Sequence, residues 1–461
     1  MLDTVTAQKV LANAIDLGAD FAELFVEKTK TNRVGLIDKK INEMQGGLNF
    51  GIGLRLIFGT KVLYGYTNSD HLHELLKMTC ILSEKDKKQP QASLLAFNFS
   101  PRQDIHPASK TLAKDQYLDE KIAYLMTMDE SSRGVSEKIV QFNGNIMQRE
   151  QAVEIFNTEG LHACDKRHYT RLSALAIAQD GNRQSQCFEG PGGLNGWEFA
   201  NQHDPIQLAT KVGGIALQKL TAGATPVGKM PVIIGNGFGG VIFHEACGHS
   251  LETTAVAKKA SVFWDKMQRP IANKCVSAFD DGTLENAWGS LNIDDEGMPT
   301  QKTQLIKDGI LTSFMVDKLG AMKTGYARTG SARRESYRFA PASRMRNTFI
   351  SPGKYSLEEM IASIDHGIYC SQMGGGSVKP GTGEFNFSAQ ESYLIKNGKI
   401  DRPLKAATLI GSGSDVLQKI SMVGNNFAMA AGICGSVSGG VPVTVGQPAL
   451  KVDDILVGGN A

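Results

Sequence analysis

The segment that decides how the second half of the chain folds is Pro231-Val-Ile-Ile-Gly-Asn-Gly-Phe-Gly-Gly-Val-Ile-Phe-His244-Glu-Ala-Cys-Gly-His249-Ser-Leu-Glu252. Its apolar and largely β-branched beginning predicts a short buried strand. The glycines that follow predict a turn, and the apolar run after them predicts a helix. This helix carries two histidines and, directly after the first of them, the carboxylate of Glu245.

A His-Glu pair followed by a second histidine is typical of zinc hydrolases. In such sites two imidazoles bind the metal, and the adjacent carboxylate takes a proton from the attacking water. We therefore interpret His244 and His249 as candidate metal ligands and Glu245 as the candidate general base. The alternative is that the two histidines are unrelated helix residues, one buried and one exposed.

The two histidines are five positions apart, one more than in the usual zinc-binding helix. At ~100° per residue, side chains at this spacing point about 140° apart on an α-helix. A shared metal therefore needs a π-type turn or a helix break between them, which we expect at Ala246–Gly248. Gly248 is the residue that best permits such a distortion.

The local pattern leaves the third metal ligand open. Glu252 follows His249 by three residues, and Cys247 lies between the histidines, although its side chain should point elsewhere. A distant residue is also possible. Cys434 is attractive because neighbouring glycines let its backbone approach closely, but a cysteine in such surroundings is commonly a packing residue.

The composition places limits on function. Of the 461 residues, 41% are hydrophobic and 21% are charged, which excludes a disordered, collagen-like or disulfide-scaffold protein. The 49 basic and 47 acidic residues leave a net charge of +2, which argues against a dedicated nucleic-acid binder. Seven irregularly spaced cysteines favour a reducing compartment. Without a signal peptide or an apolar segment of membrane-spanning length, we expect a cytoplasmic protein with no membrane contact.

Length and patterning predict two domains of the α+β class, with a boundary near residue 225 in the small, glycine-containing segment 221–228. We expect residues 1–225 to form N-terminal helices on a mixed or antiparallel sheet, with a loop or lid at 88–107. Residues 226–461 contain short alternating runs rich in glycine. They predict a β-rich C-terminal domain that carries the distorted metal-binding helix.

The glycine turn also admits a nucleotide-binding interpretation. Residues 235–240 satisfy G-x-G-x-x-G between a predicted strand and a predicted helix. No acidic residue lies between Glu252 and Asp265, where a ribose-binding carboxylate would be expected. We therefore interpret the glycines as a tight turn that lets the metal helix pack closely.

A second set of possible metal ligands occurs in the N-terminal half. It consists of His162, Cys164, Asp165 and His168. Lys166 and Arg167 lie within the set. On a strand, His162 and Cys164 would share one face and could form a metal site. Because the basic neighbours favour solvent, we expect a surface turn here instead.

Peptide binding is predicted at a glycine run. Gly374, Gly375 and Gly376 precede the strand-like segment 381–387, and such an arrangement can accept an extended peptide by strand addition. Arg334 would bind a substrate carboxylate, and Tyr337 would polarise the substrate carbonyl. The alternatives are a simple loop and strand for the glycines and an internal ion-pair network for the arginine.

Several motifs together resemble the TldD/PmbA family of proteases. The matching stretches are His-Glu-Ala-x-Gly-His-x-Leu-Glu at 244–252, Arg333–Tyr337, Arg344–Thr348, Arg402–Lys405, Ile410–Gly413, Cys434-Gly435, Val441–Val443, Val445–Pro448 and Val457–Gly459. They run through nearly all of residues 231–461. Over residues 1–225 the resemblance rests on the general arrangement.

The resemblance implies a zinc metalloprotease with His244, His249 and Cys434 as ligands and Glu245 as general base. Its substrates would be unstructured peptides or modified-peptide precursors, cleaved with low sequence specificity. Because the family pairs a zinc-bearing subunit with a partner that lacks the motif, we expect a homodimer or a heterodimer with a motif-lacking paralogue. The alternative is a catalytically silent regulatory subunit of a dimeric protease. Some family members carry gyrase-modulator names, but the near-neutral charge gives no support for direct nucleic-acid binding.

Overall fold

The computed structural model describes residues 1–84, 86, 92–99, 104–106, 117–379 and 381–459. It combines helices and sheets, as the sequence predicts, with one large sheet in the N-terminal half and a barrel plus a second sheet in the C-terminal half. Of the loop predicted at 88–107, residues 92–99 and 104–106 are described, and Asn98–Phe99 form a two-residue strand. Within the described ranges, no helix combines the length and the apolar character needed to cross a bilayer.

The N-terminal half alternates helices with long strands. Its elements are α1 (Thr4–Asp16), β1 (Phe21–Ile37), β2 (Lys40–Phe58), β3 (Lys61–Thr67), α2 (Leu72–Ser83), β4 (Asn98–Phe99), α3 (Leu118–Gly134), β5 (Ile139–Asn157), β6 (Leu161–Asp180), β7 (Arg183–Glu189), β8 (Gly192–Gly193) and α4 (Pro205–Leu220). The sheet order is β3-β2-β1-β5-β6-β4, with β7 and β8 also paired to β6. Among the strand pairs of the described residues in this sheet, only β4–β6 is parallel, so the expectation of helices on a mixed or antiparallel sheet is confirmed.

The two faces of this sheet pack against different parts of the molecule. Side chains alternate along β1, and Leu24 and Val26 pack against α1 and α2. Farther along the same face, Val34 packs with α3 and α4. Phe25 points the opposite way, into an apolar cluster with Ile293 of the C-terminal half. The sheet therefore has helices on one face and the C-terminal half on the other.

The C-terminal half is richer in short strands. Its elements are β9 (Gly228–Ile234), α5 (Val241–Ala246), α6 (Thr253–Val256), β10 (Ala278–Asp281), β11 (Lys302–Lys307), β12 (Ile310–Leu311), α7 (Lys318–Thr324), β13 (Ala332–Arg333), β14 (Ala342–Ser343), β15 (Asn347–Ile350), α8 (Leu357–Ala362), β16 (His366–Lys379), β17 (Glu384–Lys396), β18 (Lys399–Leu404), β19 (Ala407–Ser412), α9 (Gly413–Lys419), β20 (Ile420–Val423), β21 (Ala428–Ser436), β22 (Gly439–Gln447) and β23 (Leu450–Gly459). The predicted β-rich character is confirmed.

Five of these strands close into a barrel. β9 pairs with β16 and β23, β23 pairs with β19, and β17 pairs with both β19 and β16. A second sheet has the order β12-β11-β10-β15-β22-β21 and ends at β21. The short helix α5 packs against strands of both sheets. The segment that carries the sequence motif is therefore held between the barrel and the second sheet.

Buried ion pairs join the N-terminal sheet to the C-terminal half. The guanidinium of Arg55 on β2 lies 2.7 Å from the carboxylates of both Glu23 and Glu296. The guanidinium of Arg334 lies 2.5 Å from the Glu23 carboxylate. All four side chains are at most 1% exposed, so each charge depends on its partners for stabilisation.

We expect Glu23→Gln to lower the free energy of unfolding by ~3–5 kcal/mol, because it leaves buried guanidinium charge without its carboxylate. Chemical unfolding followed by circular dichroism measures this loss. The matched control is Glu43→Gln, since the Arg33–Glu43 pair has side chains 51% and 22% exposed and its loss should cost less than ~1 kcal/mol. Equal destabilisation by the two variants would contradict the role assigned to the buried pairs.

Candidate metal centre

The helix that carries the first histidine ends before the second one. α5 ends at Ala246, Cys247 has φ −123° and ψ −48°, and Gly248–Leu251 form a 3-10 turn. The expected break in the helix is therefore present. The imidazole rings of His244 and His249 face each other, with centroids 5.3 Å apart and ring planes at 85°.

Close packing explains the glycine in this break. A Cβ atom at Gly248 would lie 2.2 Å from Sδ of Met345, a fully buried side chain. A larger residue would have to displace Met345 or the 3-10 turn itself. The glycine thus lets the turn lie directly on Met345 and sets the position from which His249 projects.

The glycine turn before α5 packs against the protein's own backbone. A Cβ atom at Gly240 would lie 2.7 Å from the backbone nitrogen of Gly446 on β22, and one at Gly235 would lie 2.3 Å from the backbone oxygen of Ser371. The side-chain amide of Gln447 donates a hydrogen bond to the Gly235 oxygen at 3.0 Å. Protein atoms fill the space beside these glycines, so the geometry gives the nucleotide-binding alternative no support.

Cys434 lies on β21 and meets the histidines from the second sheet. It is paired with Val441 on β22, and its Sγ is 3.3 Å from Nε2 of His249. One ligand atom each from His244, His249 and Cys434 lie within 4.8 Å of one another. The structure thus brings together the three residues that the family resemblance implies as ligands.

The chemistry of this group fits a zinc ion. Two imidazole nitrogens and a thiolate are a donor set that zinc binds. His244 is only 1% exposed, and neither of its ring nitrogens has a hydrogen-bond partner among the described residues. Leaving a buried polar group without a partner costs ~1–3 kcal/mol, so a metal ligated by this ring would relieve that cost.

The two local candidates for the third ligand lie elsewhere. An oxygen of Glu252 is 3.1 Å from Nδ1 of His249, on the other side of the ring from the nitrogen that faces Cys434. Glu252 is 3% exposed, and its contact orients the imidazole in the way that carboxylates orient metal-binding histidines. The Sγ atom of Cys247 packs instead against Gly413 at the start of α9.

Glu245 lies at the rim of the group. Its Oε2 is 3.5 Å from Nε2 of His249, and its side chain is 28% exposed. A carboxylate in this position is close to the ligand atoms and is also reachable by water. This geometry is suitable for a general base, and the role itself stays a prediction.

The charges of the centre favour metal binding. Burial disfavours the thiolate of Cys434, but the adjacent imidazoles of His244 and His249 outweigh it and lower the pKa of this thiol to about 3. Burial also disfavours the charged form of His249, yet the Glu252 carboxylate and Cys434 raise the pKa of its imidazole well above the usual value. The thiolate is the form of cysteine that binds metals, and a metal would replace the proton on His249.

Two buried residues position Cys434; the sequence named Arg344 only as part of a matching stretch, and it did not point to Trp288. Arg344 donates hydrogen bonds to the backbone oxygen of Cys434 and, at 2.9 Å each, to Ser438 Oγ and the Gly439 oxygen. Trp288 donates its indole N–H to an oxygen of the same strand, that of Gly432, at 2.8 Å. Local sequence carries no sign of these contacts, because both donors are distant along the chain.

The residues proposed to bind substrate are not gathered at this centre. Arg334 is fully buried and uses its guanidinium on Glu23 and on the backbone oxygen of Asp295, 2.7 Å away, as in the ion-pair alternative. Tyr337 is 2% exposed, and its hydroxyl accepts a hydrogen bond from Asn68 at 2.6 Å. Both lie at the contact between the two halves, so this geometry gives their proposed roles no support.

Gly374, Gly375 and Gly376 belong to β16 in the barrel. Gly376 is opposite Phe387 on β17, and a Cβ atom there would lie 2.1 Å from the backbone oxygen of Asn386. Close strand packing accounts for the glycine at this position. Peptide binding by the glycine run stays a prediction.

A cavity of about 500 Å³ runs along β21. Its apolar walls include Phe188, Phe199, Phe238, Trp288, Met429 and Ile433. β21 is the last strand of its sheet, and the cavity follows it to the residue before Cys434. An apolar cleft and a sheet edge therefore meet one residue before Cys434, although the described lining of the cleft includes none of the candidate ligands.

Sequence profiles of the PmbA/TldA metallopeptidase match three consecutive parts of the chain. Domain 1 matches residues 22–80, the central domain matches 112–220, and the C-terminal domain matches 227–459. A metalloprotease TldD homolog from Haemophilus influenzae is 37% identical over 98% of this chain and 96% of its own length. A zinc metalloprotease TldD homolog from Saccharolobus solfataricus is 27% identical over 98% of this chain and 99% of its own length.

Solved structures share the fold at low sequence identity. A Thermotoga maritima protein named as a candidate modulator of a DNA gyrase superposes with a TM-score of 0.78 at 19% identity, covering 98% of this chain and 99% of its own. TldE from Thermococcus kodakarensis gives a TM-score of 0.77 at 18% identity, covering 98% and 100%. At these identities the likeness concerns the fold alone.

The contact between Glu252 and His249 generates a prediction about metal affinity. We expect Glu252→Gln to weaken zinc binding by ~10–100-fold, because the neutral amide orients the imidazole less firmly and makes it a poorer donor. Competition with a chromophoric chelator measures the change. Glu285→Gln, at an exposed position of the same half, is the control and should leave the affinity unaltered. Unchanged affinity in Glu252→Gln would show that this carboxylate has no such role.

Proposed function

This chain belongs to the PmbA/TldD metallopeptidase family, and we propose that it is a zinc-dependent peptidase with His244, His249 and Cys434 as ligands. The observation that carries the proposal is the convergence of these three residues within 4.8 Å, with the Glu245 carboxylate beside them. The name of the relative from Saccharolobus solfataricus, a zinc metalloprotease, supports zinc as the metal.

Zinc bound at this centre would polarise the scissile carbonyl and lower the pKa of a coordinated water toward ~7. Glu245 would accept the proton of the attacking water and pass it to the leaving amine, which its partial exposure allows. Glu252 would hold the His249 ring in place from the side opposite Cys434. The thiolate makes the metal a softer Lewis acid than a carboxylate ligand would.

We propose unstructured peptides, or modified-peptide precursors, as substrates cleaved with little sequence preference. The apolar cavity and the adjoining edge of β21 support this, because backbone pairing with a strand edge gives affinity without reading every side chain. The glycine run on β16 is the other proposed contact. In the described residues, β21 pairs with β22 and leaves its outer edge without a strand partner.

The protein is also proposed to act as a dimer, either with itself or with a motif-lacking paralogue. Ile433 and Val437 flank Cys434 and are 54% and 69% exposed. Apolar side chains at this exposure beside a candidate active site are typical of a surface that a partner or a substrate covers. Enclosure by a second subunit would keep folded proteins away from the centre.

The test of peptidase activity is Glu245→Gln. We expect hydrolysis of an unstructured fluorogenic peptide to fall by at least ~10²–10⁴-fold, because the general base is lost, while zinc content stays the same. Cys434→Ala should lose both activity and the zinc bound at this centre. Absence of zinc from the pure protein, or full activity of Glu245→Gln, would leave the catalytically silent regulatory subunit as the better interpretation.

The dimer is tested by light scattering on the purified chain. We expect either a mass of twice 49.7 kDa for the chain alone, or 49.7 kDa plus the mass of the paralogue after its addition. Val437→Asp should shift the protein toward monomer because a buried charge opposes association. Val227→Asp, at a site 71% exposed in the linker before the barrel, is the control. A fully active monomer would contradict the proposed assembly.

A further inference from the structure

A second group of side chains of the types that bind metals, Glu154, His162 and Cys164, lies in the N-terminal sheet. Glu154 on β5 is paired directly with Cys164 on β6, and His162 lies two residues before Cys164 on the same face of β6. An oxygen of Glu154 is 3.0 Å from Nε2 of His162 and 3.9 Å from Sγ of Cys164. The His162 nitrogen and the Cys164 sulfur are 4.0 Å apart. Strand register therefore brings oxygen, nitrogen and sulfur donors together.

The expectation of a surface turn at 162–168 is wrong. These residues lie within the 20-residue strand β6, so alternate side chains point to opposite faces. Asp165 faces the C-terminal half and accepts a hydrogen bond from Arg167 at 3.0 Å. Glu154 on the adjacent strand supplies the carboxylate instead, which the spacing along one strand did not reveal.

The spacing of the donor atoms suits a zinc ion. With bonds of ~2.0–2.3 Å and tetrahedral angles, donor atoms around zinc lie about 3.3–3.6 Å apart. The Glu154–His162 separation of 3.0 Å is slightly shorter than this, and the two separations from the Cys164 sulfur, 3.9 Å and 4.0 Å, are slightly longer. Side-chain adjustments of a few tenths of an ångström would bring all three atoms into position.

Neighbouring groups hold the ligands in place. The His162 ring stacks on Phe156 with centroids 4.2 Å apart and meets Phe99 edge-on at 5.2 Å. The backbone N–H of Leu2 donates to the second oxygen of Glu154 at 3.1 Å, which leaves the first oxygen directed at His162 and Cys164. The side chains of Glu154 and His162 are only 9% and 15% exposed, so the group is sheltered from bulk water.

We propose that Glu154, His162 and Cys164 form a second zinc site, separate from the centre at His244, His249 and Cys434. The ligands sit on the face of the sheet that packs against α1 and α2, whereas the first centre belongs to the C-terminal half. Through the shared carboxylate, a metal there would also restrain the Leu2 contact, two residues before α1. Binding needs a thiolate and a neutral imidazole, so it releases the thiol proton and any proton held by His162.

The number of zinc ions per chain tests the proposal. Chelator-stripped full-length protein is equilibrated with Zn²⁺, freed of loosely bound metal, and analysed by atomic emission. We expect two ions in the unaltered chain, one in Cys434→Ala, one in Cys164→Ala and none in the double variant. Cys275→Ala, which removes an exposed thiol outside both groups, is the control and should retain two.

Cobalt gives a second readout. Titration of Cys434→Ala with Co²⁺ should produce a thiolate-to-cobalt absorption band, and the band should disappear in the double variant. Titration of the unaltered chain should saturate at two equivalents, a result that depends on no variant folding. Two zinc ions in Cys164→Ala, or none in a folded Cys434→Ala, would overturn the proposal.

The same experiment separates the two sites. If the first centre binds no zinc and the second does, Cys434→Ala keeps the single ion of the unaltered chain and Cys164→Ala loses it. If only the first centre binds zinc, the opposite pattern appears. Failure of one proposal is thus distinct from failure of the other.

Discussion

The candidate centre depends on one strand, β22, which positions both the helix that carries His244 and the strand that carries Cys434. Gly446 on β22 lies so close to Gly240 that no side chain fits between them, and this contact fixes the start of α5. Val441 on the same strand pairs with Cys434, which fixes the thiol. Because one strand positions the histidine helix and the cysteine strand together, the three donor atoms meet although 185 residues separate His249 from Cys434.

A second constraint is the way in which charge is buried between the two halves. Glu23 forms ion pairs with both Arg55 and Arg334, and Glu296 also pairs with Arg55. All four side chains are almost completely buried from solvent. Such pairs add little stability relative to apolar packing, but mispairing them is costly, so they favour a single relative placement of the halves. Arg334, which the sequence analysis proposed as a substrate-binding residue, belongs to this layer of ion pairs instead.

The sequence predicted the elements better than the contacts. The N-terminal helices that the sequence predicts are present, for example as α1 and α4, because apolar periodicity follows from burying one face of a helix. The surface turn expected at 162–168 is a strand, because pairing with β5 on one side and β7 farther along overrides the local preference of charged residues. Asp165 and Arg167 of this strand face a polar contact with the C-terminal half. In the sequence, charged residues at such a contact look the same as charged residues that face solvent.

By itself, the sequence determined the histidine pair, its glutamate and the need for a broken helix, because a five-residue spacing and a glycine have direct consequences for backbone geometry. The family resemblance implied Cys434, but the tertiary structure places its thiol beside His249. The tertiary structure alone decided that Glu252 contacts His249 from the opposite side of the ring and that Glu154 joins His162 and Cys164. These outcomes depend on strand register and on packing between sheets. Both are set by contacts between distant residues, which the spacing along one segment does not contain.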